Sequence, residues 1–235
     1  MSKIAYITGG SKGIGLGIAE EMLKKGMKVA ITGRSQESLD SAIAHLEKIG
    51  SGEVIGIQSD VRYLDQEQAA VQQVINTWGG LDVCIANAGV GKFASIEDLS
   101  PEDWNAIIDI NLTGVFHTVK ASVEAIKASK GYIFTIASLA GTNFFKNGSA
   151  YNASKFGLVG FTQAIMLDLR QHGVKVSTIM PGSVATHFND HEPSEKDAWK
   201  IQPEDIGQIV VDLLEMHPRT LPSKVEVRPS IPPSK

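Results

Sequence analysis

The sequence predicts an α/β protein built on a doubly wound parallel sheet, and two observations carry that prediction. Short apolar runs of strand length alternate along the chain with longer segments of helical periodicity, the pattern of strand–helix–strand crossover units. The first run also ends in the glycine-rich turn Thr8-Gly9-Gly10-Ser11-Lys12-Gly13-Ile14-Gly15 and opens directly into a helical segment. In that context backbone N–H groups at a helix start can meet a pyrophosphate. With 235 residues, 43% of them hydrophobic and 20% charged, the chain suits one domain with a large core.

Taken in order, the strand-like segments are Ile4–Thr8, Lys28–Thr32, Glu53–Gln58, Asp82–Ala86, Tyr132–Ile136, Val174–Ile179 and Val225–Val227. Helix-like periodicity fills about 13–25, 36–48, 65–77, 102–128, 151–171 and 204–215. Right-handed crossovers between these segments give a seven-stranded sheet with three helices on each face. No linker rich in Gly, Ser or Pro divides the chain, so residues 1–235 are expected to form one Rossmann-fold domain. Residues 186–200 are polar, contain Pro193 and read as a loop. The proline-rich tail over 229–235 is expected on the surface or frayed.

Composition narrows the function. A formal net charge of -4, no basic run and no apolar stretch of membrane-spanning length argue against nucleic-acid or membrane binding. The single cysteine, Cys84, excludes an internal disulfide and speaks against a cysteine-based metal site; no metal is expected. Met1-Ser2-Lys3 passes at once into Ile4-Ala5-Tyr6-Ile7, without the longer apolar region of a secretory signal, so the expected compartment is the cytoplasm.

The glycine turn does not match Gly-x-Gly-x-x-Gly literally; it reads Gly9-x-x-x-Gly13-x-Gly15. The physics is shared: glycines permit the turn and let a pyrophosphate approach backbone N–H groups. Choice of nucleotide is read at the end of the second strand, where a carboxylate would accept from the ribose 2′-hydroxyl of NAD. Here stands Thr32-Gly33-Arg34-Ser35, with no carboxylate before Glu37. Arg34 offers a bidentate partner to a 2′-phosphate and Lys12 a second positive charge, which points to NADP(H).

Tyr151-Asn152-Ala153-Ser154-Lys155 opens the helical segment at 151–171. Positions four apart share a helix face, so the phenol of Tyr151 and the ammonium of Lys155 point the same way. A neighbouring cation favours phenolate, and the sequence therefore predicts a Tyr151 pKa below the ordinary value of about 10. Alone, Tyr-x-x-x-Lys is more readily a plain helix face with a snorkelling lysine.

In chain order, Thr8-Gly9-x-x-x-Gly13-x-Gly15, Asp60-Val61, Asn87-Ala88-Gly89, Asn111, Ser138, Tyr151-x-x-x-Lys155 and Pro181-Gly182 together resemble the short-chain dehydrogenase/reductase family. The resemblance implies that Gly9, Ser11, Lys12, Gly13, Ile14 and Gly15 form the pyrophosphate loop. It implies further that Asp60 and Val61 lie by the adenine, and that Asn87, Ala88 and Gly89 support the nicotinamide ribose region. Pro181, Gly182 and Val184 would lie beside the nicotinamide. Ser138, Tyr151 and Lys155 would do the chemistry with Asn111 completing the tetrad, Tyr151 and Lys155 also touching the cofactor. Two departures stand out. The region after Pro181-Gly182 is short, and Val225-Glu226-Val227-Arg228-Pro229 replaces the glycine-rich ending typical of 3-oxoacyl-acyl-carrier-protein reductases.

The expected function is that of an NADPH-dependent carbonyl reductase, reversible as an alcohol dehydrogenase, with Tyr151 as general acid/base and a small carbonyl or alcohol as substrate. The alternative is a non-catalytic NADP(H)-binding regulatory or interaction module on the same fold. Val90, Phe93, Phe144, Phe145, Val184 and Phe188 are candidate lining residues of an apolar substrate pocket. The segments at 102–128 and 151–171 hold more apolar residues than one buried face needs, among them Val115, Phe116, Val119, Val123, Phe161 and Ile165. The resemblance implies that this pair forms a homo-oligomer interface, in a dimer or tetramer.

Overall fold

In the computed structural model, which describes residues 2–233, seven strands form one parallel sheet. They are β1 (Ile4–Ile7), β2 (Lys28–Gly33), β3 (Val54–Gln58), β4 (Val83–Ala86), β5 (Tyr132–Ile136), β6 (Lys175–Pro181) and β7 (Lys224–Val227). Their spatial order is β3-β2-β1-β4-β5-β6-β7. β1, β4 and β5 are buried throughout, as unbroken apolar runs covered on both faces should be. Cys84 lies buried in β4, where burial pushes its thiol up to about 12; it packs as a small apolar residue.

The helices α1 (Gly13–Lys24), α2 (Gln36–Leu46) and α7 (Pro203–Glu215) close one face of the sheet. On the other lie α3 (Leu64–Trp78), the pair α4 (Pro101–Ile108) and α5 (Gly114–Ser129), and α6 (Ser149–Leu169). Caps follow the sequence: Ser35 and Ser100 accept from the third residue of α2 and α4, and Gly79 ends α3 with φ 87°. α1 and α7 cross closely because Gly17 and Gly207 carry no side chain. A Cβ on Gly17 would lie 2.4 Å from the Pro203 carbonyl carbon, and one on Gly207 2.5 Å from the Gly17 oxygen.

The segment expected as one helix over 102–128 is broken by a π-helical stretch, Asp109–Thr113, between α4 and α5. Such one-residue insertions cluster at functional sites, and this one contains Asn111. The tail beyond β7 lies on the surface, with Ile231 exposed; its last two positions and Met1 fall outside the described residues. Among the described residues, no helix is long and apolar enough to cross a membrane, and no group of three or more His, Cys, Asp and Glu side chains could hold a metal ion.

One carboxyl is fully buried. Glu67 on α3 accepts from the hydroxyls of Tyr6 (3.1 Å), Ser59 (2.7 Å) and Thr118 (2.8 Å), tying β1, the end of β3 and α5 together. Burial raises its pKa above the ordinary carboxylate value, against the pull of the three donors. The sign follows from linkage. A group raised in the fold contributes stability that is fully present below its ordinary value, near 4.5, and is lost as pH rises through the raised value. Glu67→Gln removes that titration. The wild type should therefore lose melting temperature relative to Glu67→Gln as pH is raised from about 4.5 to about 8. A difference that stays constant over that range would show that Glu67 does not titrate there.

Candidate active site

Strand order reverses between β1 and β4, so the chain leaves these neighbours toward opposite faces and a crevice opens at their carboxyl ends. Two side chains bridge it. The Asn87 amide donates to the Thr8 oxygen (2.8 Å) and the Gly9 oxygen (3.1 Å), while Thr8 Oγ1 accepts from the backbone N–H of Asn87 (3.1 Å) and Ala88 (3.2 Å).

Above this bridge the glycine loop turns through Gly9 (φ 65°) and Gly13 (φ 57°), both in the left-handed region. α1 begins at Gly13 with no side-chain cap and no acidic residue in its first turn, unlike α2 and α4. Its first N–H groups thus face an anion site with no internal competitor. Ser11 and Ile14 are half-buried in the loop, and Gly15 packs beneath it with Gly9 and Asn87. Thr186, which the sequence reading passed over, rests its methyl against Gly13 and brings the segment after β6 to the loop.

Lys12 and Arg34 are both exposed. The Arg34 backbone oxygen is fixed by the Gln58 amide at 2.8 Å, and a cavity of about 470 Å³ beside it is lined by Gln58, Asp60, Tyr63 and Gln66. Asp60 is gripped by Arg62, a partner the sequence reading missed. The Arg62 guanidinium donates to both carboxylate oxygens (3.0, 3.0 and 2.5 Å), holding Asp60 below the usual carboxylate range. Val61 is buried against Gly114, and its oxygen meets His117 Nδ1 at 2.9 Å. The donor set therefore fits a dinucleotide: uncapped helix N–H groups for a pyrophosphate, with Lys12 in the glycine loop and Arg34 at the end of β2.

The residues expected to do chemistry converge across the crevice. Asn111, fully buried on the π-helical stretch, clamps the Val90 backbone. Its Oδ1 accepts from the Val90 N–H (2.8 Å), and its amide donates to the Val90 oxygen (2.9 Å) and Ser154 Oγ (3.2 Å). Lys155 is 5% exposed and donates to the Ile136 oxygen at 2.9 Å. A Cβ on Gly89 would sit 3.3 Å from Asn111 Oδ1 and 3.8 Å from Lys155 Nζ, which places the three groups around one point. Ser138 follows β5, accepts from the Ala140 N–H (3.1 Å) and donates to the Pro181 oxygen at 3.4 Å. Gly182 is anchored on β7 by its N–H to the Val227 oxygen (2.8 Å), and Val184 bridges to Ile201.

The electrostatics correct one expectation. Tyr151 is not lowered: burial pushes its phenol up to about 12, with the Ser138 hydroxyl pulling the other way. Lys155 is itself pushed down to about 8 by burial, and its ammonium lies 5.7 Å from the centre of the Tyr151 ring. The cation spacing predicted by the helix is present. Desolvation of the phenolate outweighs it.

The chain matches the family model of the short chain dehydrogenases over residues 3–197 and belongs to that family of oxidoreductases, whose members use nicotinamide cofactors. Among curated relatives, the 3-oxoacyl-[acyl-carrier-protein] reductase of Synechocystis is 33% identical over 196 residues, covering 83% of this chain and 79% of that one. An oxidoreductase of Staphylococcus aureus is 31% identical over 229 residues, 97% of each chain. Among solved structures, an alcohol dehydrogenase of the archaeon Thermococcus sibiricus, complexed with 5-hydroxy-NADP, superposes with TM-score 0.93 at 27% identity over 100% of both chains. A metagenomic short-chain oxidoreductase in complex with NADP gives TM-score 0.85 at 34% identity over 98% of both.

The raised phenol gives a direct test. Tyrosinate absorbance of the wild type without cofactor, minus that of Tyr151→Phe, should show no ionisation from Tyr151 below about pH 10. A step near neutral pH in the difference would mean that Lys155 already dominates.

Proposed function

We propose that this oxidoreductase is an NADP(H)-dependent carbonyl reductase, reversible as an alcohol dehydrogenase. The observation that carries the reading is the meeting of Asn111 and Lys155 beside Gly89, with the Lys155 ammonium 5.7 Å from the Tyr151 ring and the Ser138 hydroxyl acting on the Tyr151 phenol, at the carboxyl-end crevice where an open parallel sheet binds its ligands. In this reading a bound nicotinamide supplies and accepts the hydride. Ser138 donates to the carbonyl oxygen, and Tyr151 delivers a proton to it as negative charge develops there. Lys155, still mainly protonated at neutral pH with a pKa of about 8, stabilises the phenolate left behind. Asn111 holds the Val90 segment and, through Ser154, the start of α6 in register.

The raised phenol supports the reductive direction. A group at about 12 stays protonated throughout the physiological range and releases its proton only to a stronger base, such as a developing alkoxide. For oxidation, Tyr151 must begin as phenolate, which the same burial disfavours by about 1.4 kcal/mol per unit of pKa.

For assembly we propose pairing through α5 and α6. Phe116 is 45% exposed and meets Phe161 edge-on at 6.4 Å, and Phe156 is also exposed. Val115 and Val119 do not contribute to that surface, because the chain's own core buries them.

The central test is oxidation of NADPH, followed by absorbance, against a panel of ketones and aldehydes. Tyr151→Phe should lower kcat about 10²- to 10⁴-fold and leave the Kd for NADPH within about twofold. A variant that keeps a tenth of wild-type kcat would show that another group supplies the proton. Tight NADPH binding with no turnover across the panel would favour a binding module.

The cofactor preference rests on one exposed guanidinium, so its expected effect belongs at the low end of charge-assisted bonds, about 1.4 kcal/mol or tenfold. Arg34→Ala should raise the KM for NADPH by about that factor, with the KM for NADH little changed, and added salt should narrow the gap. Equal impairment with both cofactors would remove Arg34 from 2′-phosphate recognition.

A further inference from the structure

We infer that the preferred substrates carry an aromatic ring directly on the carbonyl carbon, as aryl ketones and aryl aldehydes do, and that Phe188, seated on Gly91, selects them. This rests on the carbonyl-reductase reading above and adds the substrate class to it.

Three phenylalanines surround the ring of Tyr151. Phe93 meets it edge-on at 5.5 Å and 89°, Phe188 at 5.6 Å and 61°, and Phe145 tilts toward it at 6.4 Å. They also touch one another: Phe93 lies 5.3 Å from Phe145 and 6.5 Å from Phe188. Each comes from a different connection, after β4, before α6 and after β6. All three stay partly exposed, at 38%, 44% and 36%. A core would have buried them. Rings that converge from three loops onto one phenol and still face solvent form a wall for something that approaches that phenol.

The wall has one chemical character. It offers ring faces and edges, which favour a further ring placed edge-to-face or offset. The Lys155 ammonium donates inward to the Ile136 oxygen.

Gly91 is the handle on this wall. A Cβ at that position would lie 2.2 and 2.4 Å from two carbons of the Phe188 ring, so the ring lies flat on bare backbone. Gly91 does not have a positive φ, and the three atoms nearest to an added Cβ all belong to the Phe188 ring. Alanine therefore fits the backbone and conflicts first with that ring. Gly91 is a positioning residue that acts through Phe188.

The test compares kcat/KM for acetophenone and butan-2-one, with NADPH saturating. The wild type should favour acetophenone at least about tenfold. Gly91→Ala should reduce the acetophenone-to-butan-2-one ratio about tenfold, as should Phe188→Ala, and Gly91→Ala should have no further effect on that ratio in a Phe188→Ala background. Butan-2-one used as well as acetophenone would overturn the inference. So would a Gly91→Ala effect that persists without Phe188, or one that falls equally on both ketones. Turnover of butan-2-one without aryl preference leaves the reductase reading standing, whereas turnover of neither ketone, with NADPH bound, removes the reading and the inference together.

Discussion

The cross-link between Thr8 and Asn87 is the interaction on which the site depends. A doubly wound sheet must open at the point where its order reverses, because the connections on either side run to opposite faces. Here that point lies between β1 and β4, and an open crevice leaves backbone carbonyls without ladder partners. The Asn87 amide satisfies two of them, at Thr8 and Gly9, while Thr8 returns a bond to each of two N–H groups beyond β4. Losing such a group leaves buried acceptors unpaired at about 1–3 kcal/mol each. The glycine loop can hold Gly9 and Gly13 at positive φ because its base is fixed in this way.

On the opposite wall the same requirement is met by a change of helix type. The π-helical stretch at Asp109–Thr113 spaces Asn111 so that its amide serves as both donor and acceptor to Val90, 21 residues earlier in the chain, and also reaches Ser154 on α6. Lys155, one residue on, is carried into a site dry enough to bring it down to about 8 and Tyr151 up to about 12. These shifts have one cause. Burial penalises each charged form, so the pair rests as an intact phenol beside a weakened ammonium; in the proposed reduction, the energy of separating charge is deferred until a developing alkoxide draws the proton away.

The fold was legible because its signals are local. Apolar runs gave all seven strands to within two residues at each end, and Ser35, Ser100 and Gly79 mark helix ends by ordinary capping chemistry. The spacing of Tyr151 and Lys155 was legible for the same reason. What the chain concealed depends on distance in sequence or on environment. A π insertion leaves the apolar period nearly intact, so residues 102–128 read as one helix. Arg62 follows Asp60 by two positions, but the turn that folds it back onto the carboxylate has no compositional mark. The direction of the Tyr151 shift was misjudged because a charge pair was counted without the burial that surrounds it. The seat of Phe188 on Gly91 joins the connections after β6 and β4, and only the folded chain brings those together.

Burial also divides the site into two kinds of residue. Asn111 is buried and bonded to both Val90 and Ser154, and Lys155 is buried and bonded to the Ile136 oxygen, so any replacement disturbs groups that other elements share. Phe93, Phe145 and Phe188 are more than a third exposed, come from separate connections and contact one another through rings instead of hydrogen bonds. Exchanging one of them removes dispersion and quadrupole contacts but strands no polar group, which costs far less than breaking the Asn111 clamp. In the proposed reaction, proton transfer is thus built into the part of the molecule least able to change, and the choice of substrate rests on the part that can change while the sheet, the glycine loop and the Tyr151–Lys155 pair stay as they are.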